Sequence, residues 1–211
     1  MSRIAVIDFE TTGLSPTMGD RATEVAIVLV EDGQVVDRFQ SLMNAGVHIP
    51  AFITSLTGIT NAMVATAPAA DRVMRDASRF VGSAPMVAHN ASFDRRFWQA
   101  ELTRAGEAAA QPFACTMLVA RRLYPQAPSH KLGVLVDYHQ LPKAGRAHRA
   151  MADAEMAASL LHQIQHDLRT RHLVARIDHS MLMGLQRCAK PAVSAYIARY
   201  VGAKQIKSAQ P

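Results

Sequence analysis

The chain has 211 residues, of which 49% are hydrophobic and 19% charged, a balance that excludes global disorder. The net charge of +6 lies entirely in residues 160–211, which carry eight Lys or Arg and two Asp. Because no run of about 18 uncharged apolar residues occurs, we expect no membrane-spanning helix. Asp8 and Glu10 interrupt any signal-peptide core, so we expect a cytoplasmic protein. Cys115 and Cys188 lie far apart without a Cys-x-x-Cys spacing, which excludes a disulfide scaffold and a thiolate zinc site.

Three strands are predicted at the start of the chain. Residues 3–9 are apolar on both faces, which is typical of a central buried strand. Residues 22–31 and 35–43 are rich in Val and flank Asp32-Gly33, a hairpin turn signal. The sequence therefore predicts an antiparallel meander.

Helices dominate the remainder. The spacing of apolar residues predicts helices over residues 51–56, 61–65, 69–81, 91–104, 117–123, 131–139 and 150–168, with short strands at 85–88 and 113–115. A meander followed by strands that alternate with helices favours an α/β fold, in which a mixed five-stranded sheet is flanked by helices.

The chain divides in this prediction into a domain of residues 1–168 and a helical basic C-terminal extension of residues 169–211. Two or three short helices are expected in the extension, with Pro191 in a first helical turn. Its basic excess suggests a polyanionic partner, nucleic acid before a membrane surface, but a plain solvated face explains the charge equally well. Alternatively, its apolar residues pack as a helical cap on the body or on a partner protein: Leu182, Leu185, Val193, Ile197 and Val201.

Two carboxylates stand at the end of the first predicted strand. Asp8 and Glu10 are two residues apart, so they share a strand face with Ile4 and Val6. An acidic pair that continues an apolar row is costly without a cation. Carboxylate oxygens suit Mg²⁺ or Mn²⁺, so the pair predicts a metal site rather than two solvated loop acids.

The spacing of His148 and Asp153 predicts a second functional pair. Residues five apart on one helix differ by about 140° in direction, so both can face one site only if His148 lies in a loop before the helix of Asp153. The same spacing occurs in His162 and Asp167, but inside helical sequence, so we interpret that pair as surface.

A third candidate acid, Asp94, follows the short strand at residues 85–88. Asn90 is a plausible N-cap for the next helix, and Asp94 then points inward from its first turn. The carboxyl ends of the strands, where α/β sites assemble, lie nearby. A simple interaction with the helix dipole explains Asp94 alone equally well.

Taken together, these motifs resemble those of a known family. The quoted segments are Asp8-x-Glu10-Thr11-Thr12-Gly13-Leu14, His89-Asn90-Ala91-x-x-Asp94 and His148-x-Ala150-x-x-Asp153-Ala154, with Leu56-Thr57-Gly58-Ile59-Thr60 between the first two. In this order they resemble the three motifs of the DEDDh 3′–5′ exonucleases, the group typified by the proofreading epsilon subunit of bacterial DNA polymerase III. The resemblance covers residues 3–165 and implies a ribonuclease H-like fold.

The resemblance also implies roles for individual residues. Two Mg²⁺ ions, for which Mn²⁺ would substitute, are held by four acids, and His148 takes the proton from the attacking water. The four metal ligands are Asp8, Glu10, Asp94 and Asp153, and the substrate-binding residues are Thr11, Thr12, Gly13, Leu14 and Asn90. The expected reaction releases nucleoside 5′-monophosphates from single-stranded or frayed DNA. Candidate phosphate contacts around His148 are Lys143, Arg146 and Arg149, although an exposed basic loop explains these three residues equally well.

Several alternatives remain open at this point. An RNA-trimming exoribonuclease of the same fold shares the catalytic residues, although Glu10-Thr11-Thr12-Gly13 is more similar to the proofreading branch. A docking subunit that works mainly through a polymerase partner is the alternative from a different class. The expected partners are therefore single-stranded DNA or 3′ ends of nucleic acid, a possible polymerase, and no membrane.

Overall fold

A computed structural model describes residues 3–143, 145 and 148–208, with the backbone alone for residues 202–208. Five strands form one sheet in the order β3-β2-β1-β4-β5. The neighbours β1–β2 and β2–β3 are antiparallel, whereas β1–β4 and β4–β5 are parallel. The strands are β1 (Ile4–Thr11), β2 (Ala22–Glu31), β3 (Gln34–Leu42), β4 (Met86–Ala88) and β5 (Phe113–Cys115). The mixed sheet confirms the predicted fold class.

The α-helices lie at nearly the predicted positions. They are α1 (Ala51–Thr57), α2 (Asn61–Ala65), α3 (Ala70–Val81), α4 (Ala91–Arg104), α5 (Thr116–Leu123), α6 (Leu132–Tyr138), α7 (Ala150–Thr170), α8 (His179–Leu185) and α9 (Val193–Ser208). Two 3₁₀ turns cover Pro16–Met18 and Lys190–Ala192, the second with Pro191 in its first turn as predicted. Among the described residues, no helix combines the length and hydropathy needed to cross a bilayer.

Side-chain alternation along β1 separates two core layers. Ile4 and Val6 contribute to a cluster that also contains apolar residues of α5, α7 and α8, whereas Ala5, Ile7 and Phe9 face the layer of α3 and α4. Because successive residues of a strand point to opposite faces, Asp8 and Glu10 continue the face that carries α7. This register brings β1 and the start of α7 to one site.

The C-terminal extension packs into the first of these layers. Its buried apolar residues belong to the same cluster as Ile4 and Val6: Val174, Ile177, Met181, Leu182, Leu185, Val193 and Ile197. The Cys115 N–H on β5 donates to Gln186 Oε1 at 2.6 Å, and His179 Nε2 donates to the Met86 carbonyl on β4 at 2.7 Å. The packing alternative thus describes most of the extension's apolar residues, while a domain boundary at residue 168 stays a prediction.

Candidate active site

Three carboxylates meet at the carboxyl end of β1. Asp8 and Glu10 extend from the strand, and Asp153 extends from the first turn of α7. Each offers an oxygen within 4.8 Å of the oxygens of the other two. Hard oxygen donors at this spacing fit a divalent cation such as Mg²⁺. The acids of the first and third motifs therefore lie next to each other, as predicted.

Asp94, the fourth acid, lies beside this trio in the first turn of α4 and is only 2% exposed. Its Oδ1 atom is buried and has no hydrogen-bond partner in the described structure. A buried, unpartnered carboxylate oxygen is unfavourable unless a cation or a proton satisfies it. This orphaned oxygen is a second observation that fits a metal centre.

The site strongly disfavours uncompensated negative charge. Burial raises the pKa of Asp8 well above its usual range, and the charges of Asp94 and Asp153 add to the effect. Burial, followed by the charge of Asp153, raises the pKa of Glu10 to about 8, and burial raises the pKa of Asp94 to about 8. The pKa of Asp153 is also raised by burial. Clustered acids of this kind are stabilised by protons or by cations.

His148 lies in the loop before α7, as the spacing argument requires. Its backbone has a left-handed φ of 58°, and its N–H donates to Asp153 Oδ2 at 3.0 Å. His148 is exposed and lines a cleft together with Asp153. His162 on α7 is exposed as expected, but the surface interpretation is wrong for Asp167, which is buried and accepts a hydrogen bond from the Tyr124 hydroxyl.

The cleft has a volume of about 400 Å³ and borders the acidic trio. Predicted residues that line it are Thr11, Gly13 and Leu14, and the side chain of Leu14 is 78% exposed. Thr11 Oγ1 donates to the Gly13 carbonyl at 2.6 Å, which fixes the turn that presents Leu14.

Apolar side chains form part of the cleft wall, and two of them, Phe52 and Phe93, were not singled out from the sequence. Phe52 and Leu56 face it from α1, Phe93 faces it from α4, and Phe52 is 68% exposed. The i, i+4 spacing of Phe52 and Leu56 is the signal that could have indicated a shared apolar face. An exposed aromatic side chain in a cleft can stack on a planar ring such as a nucleobase.

Two of the predicted substrate residues do not line this cleft. The Thr12 side chain is buried and accepts the Arg21 N–H at 3.0 Å. Asn90 occupies the N-cap position of α4 with a φ of 69°, but its side chain makes no capping hydrogen bond, contrary to the N-cap interpretation. Their roles in binding remain predictions.

The basic residues near His148 have other partners or lie outside the described part of the chain. Lys143 pairs with Asp137 at 2.7 Å, and Arg149 pairs with the buried Glu24 at 2.8 Å. Burial acts to raise the pKa of Glu24, but hydrogen bonds led by that from Arg149 outweigh it and hold the pKa below its ordinary value. Arg146 lies outside the described residues.

Fold and site together define an α/β domain of the ribonuclease H-like class, with an acidic centre at the carboxyl end of its first strand. The family model described as "Exonuclease" matches residues 5–161. The chain belongs to this exonuclease family, which confirms the resemblance found in its motifs.

Individual relatives agree with this assignment. The chain is 37% identical over 196 residues to the 3′-5′ exonuclease DinG of Bacillus subtilis (strain 168), covering 91% of this chain and 20% of DinG. It is 39% identical over 156 residues to DNA polymerase III PolC-type of Clostridium perfringens (strain 13 / Type A). This match covers 74% of this chain and 11% of the relative. A DNA polymerase III subunit epsilon-like protein of Rhodobacter capsulatus is 37% identical over 174 residues, covering 80% and 24%. The chain thus spans a quarter or less of these relatives.

Solved structures show the same fold. Exonuclease X in complex with 5′ overhanging duplex DNA is 29% identical, with a TM-score of 0.69, covering 87% of this chain and 99% of that one. E. coli Exonuclease I in complex with a dT13 oligonucleotide has a TM-score of 0.68 at 18% identity, covering 86% and 47%, and supports the fold alone.

Proposed function

We propose that this protein is a metal-dependent 3′–5′ exonuclease that releases nucleoside 5′-monophosphates from single-stranded or frayed DNA ends. One observation carries the proposal: Asp8, Glu10, Asp153 and His148 line a single open cleft, although they come from opposite ends of the domain. Membership of the exonuclease family and the 29% identity to Exonuclease X support the same activity.

The acids are proposed to hold two Mg²⁺ ions, with Mn²⁺ able to substitute. Asp8, Glu10 and Asp153 supply converging oxygens, and the unpartnered oxygen of Asp94 completes the set. When bound, such ions supply Lewis-acid activation of the water and of the scissile phosphate. The raised pKa values of Glu10 and Asp94 fit residues that need a cation to stay ionised at neutral pH.

His148 is proposed to accept the proton of the attacking water. Its imidazole is solvent-accessible at the mouth of the cleft, while its backbone N–H is tied to Asp153. An imidazole nitrogen that reaches a water molecule in the cleft can accept its proton, which is the role of a general base.

The apolar wall is proposed to receive the terminal nucleotide. Leu14 in the turn after β1 and Phe52 on α1 are both exposed and line the cleft. Stacking and wedging contacts of this kind read no base sequence, so sequence-tolerant cutting is expected.

Proofreading beside a polymerase is the second candidate function. It is favoured by the PolC-type DNA polymerase III relatives, in which the matching segment takes up about a tenth of the polypeptide. In this version the chain acts on 3′ ends delivered by a polymerase partner.

Hydrolysis of end-labelled substrates tests the proposed activity. The purified protein is incubated with single-stranded DNA, frayed duplex DNA and RNA, with Mg²⁺, Mn²⁺ or a chelator. We expect a 3′–5′ ladder of shortened DNA with either metal, and none with chelator or in a Glu10→Ala variant. Glu107→Gln, which removes an exposed acid that does not line the cleft, is the matched control and should retain full activity.

The outcomes separate the candidates. Faster cutting of RNA than of DNA would assign the exoribonuclease function instead. Full activity in chelator or in Glu10→Ala would contradict the metal site. Activity that appears only when a polymerase is added would favour the proofreading subunit.

A further inference from the structure

Glu24 on β2 and Arg149 at the start of α7 form an ion pair next to the acidic trio. Glu24 on β2 is 0% exposed and is opposite Glu10 in the antiparallel register of β1 and β2. Its carboxylate accepts two bonds from the Arg149 guanidinium, Nε to Oε2 at 3.1 Å and Nη2 to Oε1 at 2.8 Å. It also accepts the Ala150 N–H at 3.1 Å and Gln40 Nε2 at 2.8 Å.

These contacts replace a helix cap that the local sequence lacks. Arg149 occupies the N-cap position of α7, and its side chain makes no capping bond. The first N–H groups of a helix need external acceptors, and short polar N-cap residues normally supply one. Here Glu24 supplies the acceptor for Ala150 from the neighbouring strand, so the start of α7 is held to the sheet.

The contacts between Glu24 and the start of α7 also bear on the positions of His148 and Asp153. His148 directly precedes Arg149, and Asp153 donates its backbone N–H to the Arg149 carbonyl at 3.1 Å. Asp153 in turn accepts the His148 N–H. His148 and Asp153 are therefore linked to the sheet through Arg149.

We propose that Glu24 and Arg149 form a positioning pair that fixes His148 and Asp153 over the carboxylates of β1. The proposal rests on the exonuclease function proposed above. It assigns Arg149 to the organisation of the site rather than to the phosphate contact suggested by its basic neighbourhood. The bidentate geometry supports this assignment, because a guanidinium already bound by both oxygens of a buried carboxylate is held away from a substrate.

Three variants test the pair: Glu24→Gln, Arg149→Gln and the double variant. Arg38→Gln is the matched control, because Arg38 on β3 also pairs with α7, at Glu155, but on the exposed surface. We expect each single variant to lower kcat by about 10- to 100-fold, as for other residues that support metal ligands. The KM for single-stranded DNA should change by less than about twofold, since substrate contacts are retained. The double variant should lose no more than either single variant, because all three break the same link.

A second measurement is independent of activity. Hydrogen exchange of the amides of residues 148–153 should accelerate in Glu24→Gln and Arg149→Gln but not in Arg38→Gln, and Mn²⁺ binding followed by electron paramagnetic resonance should weaken in the same two variants. If the wild type proved inactive as a nuclease, these two readouts would still report on the pair.

Three results would overturn the proposal. A raised KM with unchanged kcat in Arg149→Gln alone would make Arg149 a phosphate contact. Losses in the double variant equal to the product of the single losses would show independent roles. Unchanged exchange at residues 148–153 would show that the start of α7 is held without Glu24.

Discussion

Removal of the Asp94 charge should stabilise the metal-free protein at alkaline pH. The pKa of Asp94 is raised from 3.8 to about 8, first by burial, whereas the backbone N–H groups of Asp94 and Phe9 act in the opposite direction. A carboxyl with a raised pKa in the folded state favours folding below its unfolded value and loses that contribution as the pH rises to its folded value. The free energy of unfolding of the metal-free protein should therefore fall between about pH 4 and pH 8.

The loss of stability can be worked out from the difference between the folded and unfolded pKa values of Asp94. At about 1.4 kcal/mol per pH unit, ionisation of Asp94 costs the folded state roughly 5 kcal/mol by pH 8 and roughly 2 kcal/mol at pH 5. Asp94→Asn removes this cost but places an amide N–H₂ where Oδ1 has no partner, a penalty of about 1–3 kcal/mol. The variant should thus match the wild type at pH 5 and exceed its stability by about 2–4 kcal/mol at pH 8.

Urea unfolding in chelator at pH 5 and pH 8 measures the effect. Glu107→Gln, which neutralises an exposed acid, should show no such gain. Saturating Mg²⁺ at pH 8 should stabilise the wild type, by about 2.7 kcal/mol at a hundred times its Kd, and stabilise Asp94→Asn less. A wild type that becomes more stable from pH 5 to pH 8 in chelator would refute the reasoning.

Three further variants address the histidine, the cleft wall and the extension. His148→Ala should lower the hydrolysis rate by about 10²–10⁴-fold while Mn²⁺ affinity is retained. The control His162→Ala should match the wild type. Equal losses of activity in the two variants would contradict the assignment of His148 as the base. Phe52→Ala should weaken binding of single-stranded DNA by about 1–3 kcal/mol in fluorescence anisotropy, and Leu173→Ala, which removes another exposed apolar residue, should not. Leu185→Ala should lower the urea-unfolding free energy by about 2–5 kcal/mol because Leu185 is fully buried, and a loss below about 1 kcal/mol would show that the extension contributes little to folding.

Local sequence patterns were sufficient to predict most of the fold and the position of the acidic centre. The two-sided apolar run of β1 and the Asp32-Gly33 turn predict the meander because strand burial and hairpin chemistry act over a few residues. The positions of Asp8 and Glu10 on the α7 face follow from the period of a strand.

Features that depend on contacts distant in sequence were missed. Phe52 is exposed on α1, and only the tertiary arrangement brings it to the cleft that Leu14 also lines. Asp167 looks like a surface acid in its helix, but the Tyr124 hydroxyl reaches it across the core. Glu24 had a usable signal, an acid directly before six consecutive apolar residues of the same strand, yet its partner Arg149 lies 125 positions away.

The core shared by the sheet and the extension determines where this domain can be joined to another polypeptide. The stretch that matches the family ends at residue 161, which lies inside α7. A fusion joint placed there would interrupt the helix and remove the apolar side chains of α8 that belong to the same core cluster as Ile4 and Val6. Joints that preserve the domain belong beyond Ile197, which is the last buried side chain among the described residues.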